Sequence, residues 1–124
     1  MLALLAAGLA SCAHTPFQPA PRKNAVMAGG QGLLGADAEY LTPGQRRQAL
    51  AAEYKALEHN KAGQTVSWGD ARGEASGTVT PGQPYQVGAQ NCRQYSHDWK
   101  ADGVPHTARG SACRNADGSW TTLN

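Results

Sequence analysis

Apolar positions follow three different patterns along the chain. The first is a continuous run: Met1-Leu-Ala-Leu-Leu-Ala-Ala-Gly-Leu-Ala10 carries no polar side chain before Ser11. The second is helical, with Leu50, Tyr54 and Leu57 recurring at i, i+4 and i+7 and Ala49 and Ala56 beside them. The third begins after Gln64, where Val66 and Trp68 alternate with Thr65 and Ser67, the period of a half-buried strand.

The helical segment has its own start signal. Thr42 serves as N-cap, Pro43 fits the first turn, and Gln45 completes a capping box. The helix is expected to end near Asn60, with Gly63 beyond it. Arg46, Arg47, Gln48, Glu53 and Lys55 are expected to face away from the stripe, with Glu53 and Glu58 solvated. His59 would favour the C-terminal dipole. A helix of this length is marginal alone, so its stripe must dock on something.

The β region divides at its turns. Gly69 to Gly73 reads as a loop, Thr78-Val79-Thr80 as a strand, Pro81-Gly82 as a turn and Tyr85-Gln86-Val87 as a further strand. Gly88 to Asn91 turns again. Asp102-Gly103 is a two-residue hairpin turn of the type I′ class. Closing the chain there sets Cys92 directly opposite Cys113, as a non-hydrogen-bonded pair whose Cα atoms lie ~4.5 Å apart, within disulfide range. The same register gathers Tyr95, Trp99, Ala101, Val104, Ala108, Gly110 and Ala112 on one face. Gln94, Ser96, Asp98, Lys100, Thr107, Arg109 and Ser111 fall on the other, with both cysteines. Tyr95 lands opposite Gly110, an aromatic covering a bare strand glycine. A Cys92–Cys113 disulfide follows, closing a loop of about twenty residues worth roughly 3 kcal/mol.

The last strand, Ser119 to Leu123, has two available registers. A four-residue loop puts Trp120 beside Cys113, where the indole would shield the disulfide. A two-residue Asp117-Gly118 turn puts it beside Asn115. The first is the expectation.

Composition bounds what such a domain can be. The chain has 124 residues and a net charge of +2, so no broad basic field for nucleic acid is present. It contains no Ile and one Phe, so the core must be small and lean on Trp and Tyr. Such a core needs a staple. A membrane-spanning bundle, a coiled coil and a large enzyme are excluded.

The opening apolar run is too short to span a bilayer, which needs ~20 residues, and has the length of a signal-peptide core. The basic residues that usually precede such a core are missing, so the true start is expected upstream. Leu9-Ala10-Ser11-Cys12 matches a bacterial lipobox: an apolar residue, two small ones, then the cysteine that is acylated. Cys12 is therefore the expected lipidation site, with outer-membrane lipid as its partner, and Ala13 after it points to the outer membrane. Several acyl chains would give stable anchoring. That leaves Cys92 and Cys113 as an even pair in an oxidising compartment. His14 to Ala38 reads as spacer, with Pro16, Pro19 and Pro21 followed by Gly29, Gly30, Gly32 and Gly35. The expected organisation is a signal over 1–11, a lipidated cysteine and flexible tether over 12–40, and a folded domain over 41–124.

The lipobox, the glycine-rich stretch, the helix and the closing block Asn91-Cys-Arg-Gln-Tyr95 … Thr107-Ala-Arg-Gly-Ser-Ala-Cys-Arg-Asn-Ala-Asp-Gly-Ser-Trp120 together resemble the surface-antigen lipoproteins related to the rickettsial seventeen-kilodalton antigen. The resemblance covers residues 41–124 and is best over 64–120. It rests on Trp68, Gly77, Pro81, Cys92, Arg93, Tyr95, Gly110, Cys113, Arg114, Asp117, Gly118 and Trp120. It implies an envelope location and no established reaction. Many relatives carry a long glycine zipper ahead of the domain, of which only Gly29 to Gly35 remains here.

Candidate chemistry is sparse. Ser96-His97-Asp98 has the residue types of a triad, but consecutive strand residues point to opposite faces and cannot converge. His97 and His106 are diagonal neighbours on one face with no third ligand, so no metal is expected. Arg72, Arg93, Arg109 and Arg114 have the chemistry to recognise a carboxylate or phosphate. Arg93, at the open end of the apolar face, would cap the core, cover a Trp ring or contact a ligand, and the structural role is favoured. Arg93, Arg114, Trp120 and Tyr95 are the candidate binding residues.

The expected fold is α+β: one amphipathic helix packed on a small antiparallel β-meander of five or six strands. The expected function is non-enzymatic, an envelope structural or docking role exercised from the outer membrane toward an envelope protein or peptidoglycan, with no cofactor and no nucleic acid. The alternative is a binding or inhibitor module presenting loops 69–74 and 115–118 to a protein or glycan. A hydrolase is a distant third.

Overall fold

The structure is a computed structural model and describes residues 27–123. The apolar run, the lipobox with Cys12, His14 and Pro16 to Pro21 lie outside the described residues. The fold is α+β. Helix α1 (Pro43–His59) packs on one face of a five-stranded antiparallel sheet. Strands β1 (Val66–Gly69), β2 (Ala75–Val87), β3 (Gln90–Ala101), β4 (Val104–Arg114) and β5 (Trp120–Leu123) follow one another in space as in sequence.

The start of α1 follows from its cap. Thr42 Oγ1 accepts the Gln45 N–H at 3.2 Å, and Gln45 Oε1 accepts the Thr42 N–H at 2.9 Å. The buried face differs from the expected stripe. Ala49, Ala52, Glu53, Ala56 and Leu57 are buried, while Leu50 and Tyr54 are only partly so. Small side chains let the helix settle close to the sheet, and the carboxylate of Glu53 goes in with them.

The β3–β4 register is the one the sequence dictates, with Cys92 opposite Cys113 and Tyr95 opposite Gly110. Asp102 and Gly103 both take positive φ, 50° and 78°, as a type I′ turn requires. Burial alternates along β3, with Arg93, Tyr95, His97, Trp99 and Ala101 turned to the helix. Val104, expected on that face, is 55 % exposed because β5 pairs only with the far end of β4 and leaves this end an edge, whereas its partner Ala101 is covered by β2.

Three expectations are corrected. Pro81-Gly82 is not a turn: β2 runs unbroken from Ala75 to Val87, and the two prolines flank a register shift between Pro81 and Pro84. Prolines fit a bulge because they have no N–H to give to a ladder. Trp120 pairs with neither expected partner; it lies opposite Arg114. The loop Asn115 to Ser119 closes on itself, with the Asn115 N–H on Ser119 O and the Gly118 N–H on Asn115 O. This odd-length loop turns the indole to the helix face and leaves the disulfide on the other.

The third correction concerns the spacer. Residues 27–41 pack as part of the domain, as a strap across the helix face of the sheet. Met27 forms a parallel bridge with Trp120, and Gly32–Tyr40 is a kinked 3-10 segment. Leu33, Leu34, Ala38 and Leu41 are buried in the core with α1 and the sheet. Three of the four buried leucines among the described residues come from this strap.

Candidate functional site

The polar groups with the richest chemistry meet where strap, helix and sheet converge. Glu53 and His97 are both fully buried. The Trp68 indole N–H donates to His97 Nε2 at 2.8 Å, which makes Nε2 the acceptor and leaves the proton on Nδ1. Nδ1 then donates to Glu53 Oε2 at 2.9 Å. The Tyr95 hydroxyl donates to Glu53 Oε1 at 2.8 Å and accepts from Thr122 Oγ1 at 2.8 Å. The backbone N–H of Leu33 completes the set, 3.0 and 3.2 Å from the two carboxylate oxygens. Burial, then the Glu53 charge, push the Tyr95 phenol well above its ordinary value, so it stays a donor.

Gly32 makes this approach feasible. Its φ is +55°, and a Cβ there would lie 2.4 Å from Glu53 Oε1. Gly77 does the same for the indole, since a Cβ would lie 2.6 Å from Trp68 Nε1. Leu33, in turn, occupies the space above Gly110, with Cδ2 2.9 Å from where a Cβ would stand. Glu53, expected in solvent, is thus the acceptor at the centre of a buried network. Its spacing carried a signal: it lies four residues after Ala49 and four before Leu57, on the face that packs.

The four candidate binding residues are engaged within the fold. Arg93 is 5 % exposed and caps the end of α1. Its Nη1 donates to the carbonyls of Ala56, Leu57 and Asn60 at 3.2, 2.9 and 2.7 Å, and Nε and Nη2 donate to Gly82 O in the β2 bulge at 3.0 and 2.7 Å. Of the three roles open to Arg93, it takes that of a cap. Arg114 reaches Glu58 in a two-pronged contact, Nε to Oε2 at 2.9 Å and Nη2 to Oε1 at 3.2 Å. The Trp120 indole N–H adds a third donor to Glu58 Oε2 at 2.8 Å. Partial burial works against the Glu58 charge, but Arg114 and Trp120 outweigh it and hold the carboxyl below its ordinary value. Glu58 is therefore a partner of the sheet rather than a solvated residue. Tyr95 is the network member already described.

His106 stacks on Trp99 with ring centroids 3.9 Å apart and lies 5.5 Å from the Tyr40 ring. Its Nδ1 is 3.4 Å from Asp37 of the strap. His97 and His106 thus go to different partners, and among the described residues no three His, Cys, Asp or Glu gather as metal ligands. Ser96 is half-buried and Asp98 exposed, on the face opposite His97. Cys92 and Cys113 form the disulfide, with Cα atoms 4.0 Å apart. Arg109 and Arg72 are exposed.

The open concavities are shallow; one of about 330 Å3 lies between Gln48, Ala51 and Lys55 of α1 and strand β1, and two larger ones lie on the sheet. One, of about 480 Å3, runs among Thr80, Gln94, Ser96, Arg109 and Ser111. A second, of about 440 Å3, runs among Ser67, Ser76, Thr78, Asp98, Lys100 and Thr107. Serine and threonine are the commonest polar residues on both walls, and Trp68 and Trp99 also line the second. The one histidine on their walls, His106, is the ring stacked on Trp99. No described helix is long and apolar enough to cross a membrane.

The chain is similar to known proteins over this domain. Residues 55–121 match the family described as 17 kDa outer membrane surface antigen. The chain is 35 % identical over 80 residues to the 17 kDa surface antigens of Rickettsia bellii (strain RML369-C) and Rickettsia felis, and 32 % identical over 80 residues to that of Rickettsia prowazekii. Each match covers 64 % of this chain and 50 % of the relative, so the chain spans about half the length of the curated relatives it matches. No solved structure matches.

Proposed function

The chain belongs to the 17 kDa outer membrane surface antigen family, and from that premise we propose that it is an outer-membrane lipoprotein anchored through an acylated Cys12. Its folded domain has a structural or docking role in the envelope and performs no chemistry. The observation that carries this reading is the Leu9-Ala10-Ser11-Cys12 lipobox behind an apolar run, upstream of a domain whose relatives are named surface antigens.

The site geometry supports the non-catalytic half. The titratable groups that meet, Glu53, His97 and Tyr95, are each saturated by partners inside the core. A catalytic group needs a hydrogen-bond path to substrate. These groups spend their bonds on joining strap, helix and sheet. An envelope partner, protein or peptidoglycan, would meet the hydroxyl-rich outer face instead.

Fractionation tests the anchor. Wild-type protein is expected in the outer-membrane fraction, and Cys12→Ser in the soluble periplasmic fraction. Membrane retention of Cys12→Ser would overturn the reading.

A further inference from the structure

The two ends of the sheet differ in character. At one end lie the β2–β3 turn, Gly88-Ala89, and the β4–β5 loop, Asn115 to Ser119, tied together by Gln90 Nε2 donating to Arg114 O at 3.1 Å. The described chain begins at this same end, because Met27 bridges Trp120 and the Ala28 N–H donates to Trp120 O at 2.7 Å. Tyr85 and Val87 are exposed here, 39 % and 59 %, on the sheet face away from α1. Leu123, 52 % exposed, lies two residues along β5 from the strand partner of Cys113 and on the same face.

Acidic side chains outnumber basic ones at the other end, where Asp37, Asp70, Glu74, Asp98 and Asp102 stand against Arg72 and Lys100. The β1–β2 loop, with Asp70 and Glu74, meets the β3–β4 turn, where the Asp102 N–H donates to Glu74 O at 2.8 Å. Asp98 and Asp37 lie near it. The exposed apolar residues of that end, Tyr40 and Val104, therefore belong to a net negative end, which anionic lipid repels. At the first end Glu58 is neutralised by Arg114, and the Asp117 carboxylate accepts from Ser119.

We propose that the Met27, Tyr85 and Val87 end of the domain rests on the phospholipid surface, so that the acidic end points away from the membrane. The inference rests on the lipid-anchor reading. Cys12 lies fifteen residues before Met27, and a fully extended chain spans at most about 3.6 Å per residue, so the anchor reaches this end first. Fully extended, those fifteen residues exceed the length of twelve-residue β3 at about 3.4 Å per residue. Reach alone therefore leaves both ends accessible, and the orientation rests on charge and exposed apolar area. Arg22 and Lys23 stand in that interval and favour an anionic surface. Tyr85 has the amphipathic ring favoured at the headgroup level, and Val87 supplies apolar area beside it.

The test couples the chain from Cys12 onward to a maleimide phospholipid, using Cys12 as the one thiol outside the disulfide. The lipid sits in nanodiscs of phosphatidylethanolamine and phosphatidylglycerol that carry a nitroxide headgroup. In the wild type the methyl resonances of Val87 and Leu123 are expected to broaden at least twofold more than those of Val104, and Val87→Asp combined with Tyr85→Ser is expected to abolish the difference between Leu123 and Val104. Equal broadening at both ends, or stronger broadening at Val104, would overturn the proposal. Because the coupling is chemical, the outcome is independent of whether cells acylate Cys12, and a failed lipid-labelling experiment would strike the anchor reading alone.

Discussion

The carboxylate of Glu53 accepts the backbone N–H of Leu33, twenty positions earlier, at 3.0 Å. One helix side chain thereby fixes the strap to the core. Glu53→Gln keeps the volume but places an amide NH2 among three donors. The cost is expected at about 2–4 kcal/mol, from a donor left facing donors and a buried network broken. Denaturant unfolding measures it. Limited proteolysis between residues 27 and 41 is expected to accelerate as well, which a change in global stability alone would not localise.

Gly32→Ala approaches the same contact from the other side. The new methyl would meet Glu53 Oε1 and sit on a backbone with φ of +55°. Strain of this kind costs of order 1–3 kcal/mol. Thermal unfolding is expected to shift down, and hydrogen exchange at Leu33 and Leu34 to speed up, while the β3–β4 hairpin keeps its protection.

Arg93→Ala removes the donor from the Ala56 and Leu57 carbonyls, from that of the C-cap Asn60 and from Gly82 O. Their burial makes a loss of about 2–4 kcal/mol the expectation. Arg93→Lys is expected to recover only part of it, because an ammonium cannot bridge the helix end and the bulge as a planar fork does. Circular dichroism melts of the three proteins give the ranking.

Glu58 gives a pH signature. Its folded value lies below its ordinary 4.5, so its contribution is fully present above 4.5 and is lost as pH falls through the folded value. At pH 7 the Glu58→Gln variant is expected to be less stable by about 1 kcal/mol, a modest figure because the Arg114 side chain is 39 % exposed. That gap is expected to narrow as the pH is lowered below 4.5. A gap constant from pH 7 to 3 in urea titrations would show that the charge contributes nothing.

Sequence legibility followed the range of the interactions. The α1 cap was readable because Thr42 and Gln45 are three residues apart. The β3–β4 register was readable because one tight turn fixes it, and the disulfide followed. Glu53 was misread because a charged residue is normally solvated, and what reverses that here is Leu33, Tyr95 and His97, twenty or more positions away. The strap was misread because glycine and proline suggested a spacer, although Leu34, Ala38 and Leu41 recur at i, i+4 and i+7. Trp120 was displaced by one position because the Asn115 loop is shaped by its own side chains. Asn115 Nδ2 reaches Ser119 Oγ and Thr121 Oγ1, and Asp117 accepts the Ser119 N–H.

Intact-mass analysis of protein extracted from membranes under non-reducing conditions tests the account most directly. The expected product begins at Cys12, carries a diacylglyceryl group with or without an amide-linked acyl chain, and is two hydrogens lighter than the dithiol form. A polypeptide that retains residues 1–11, or whose Cys12 bears no lipid, would contradict it.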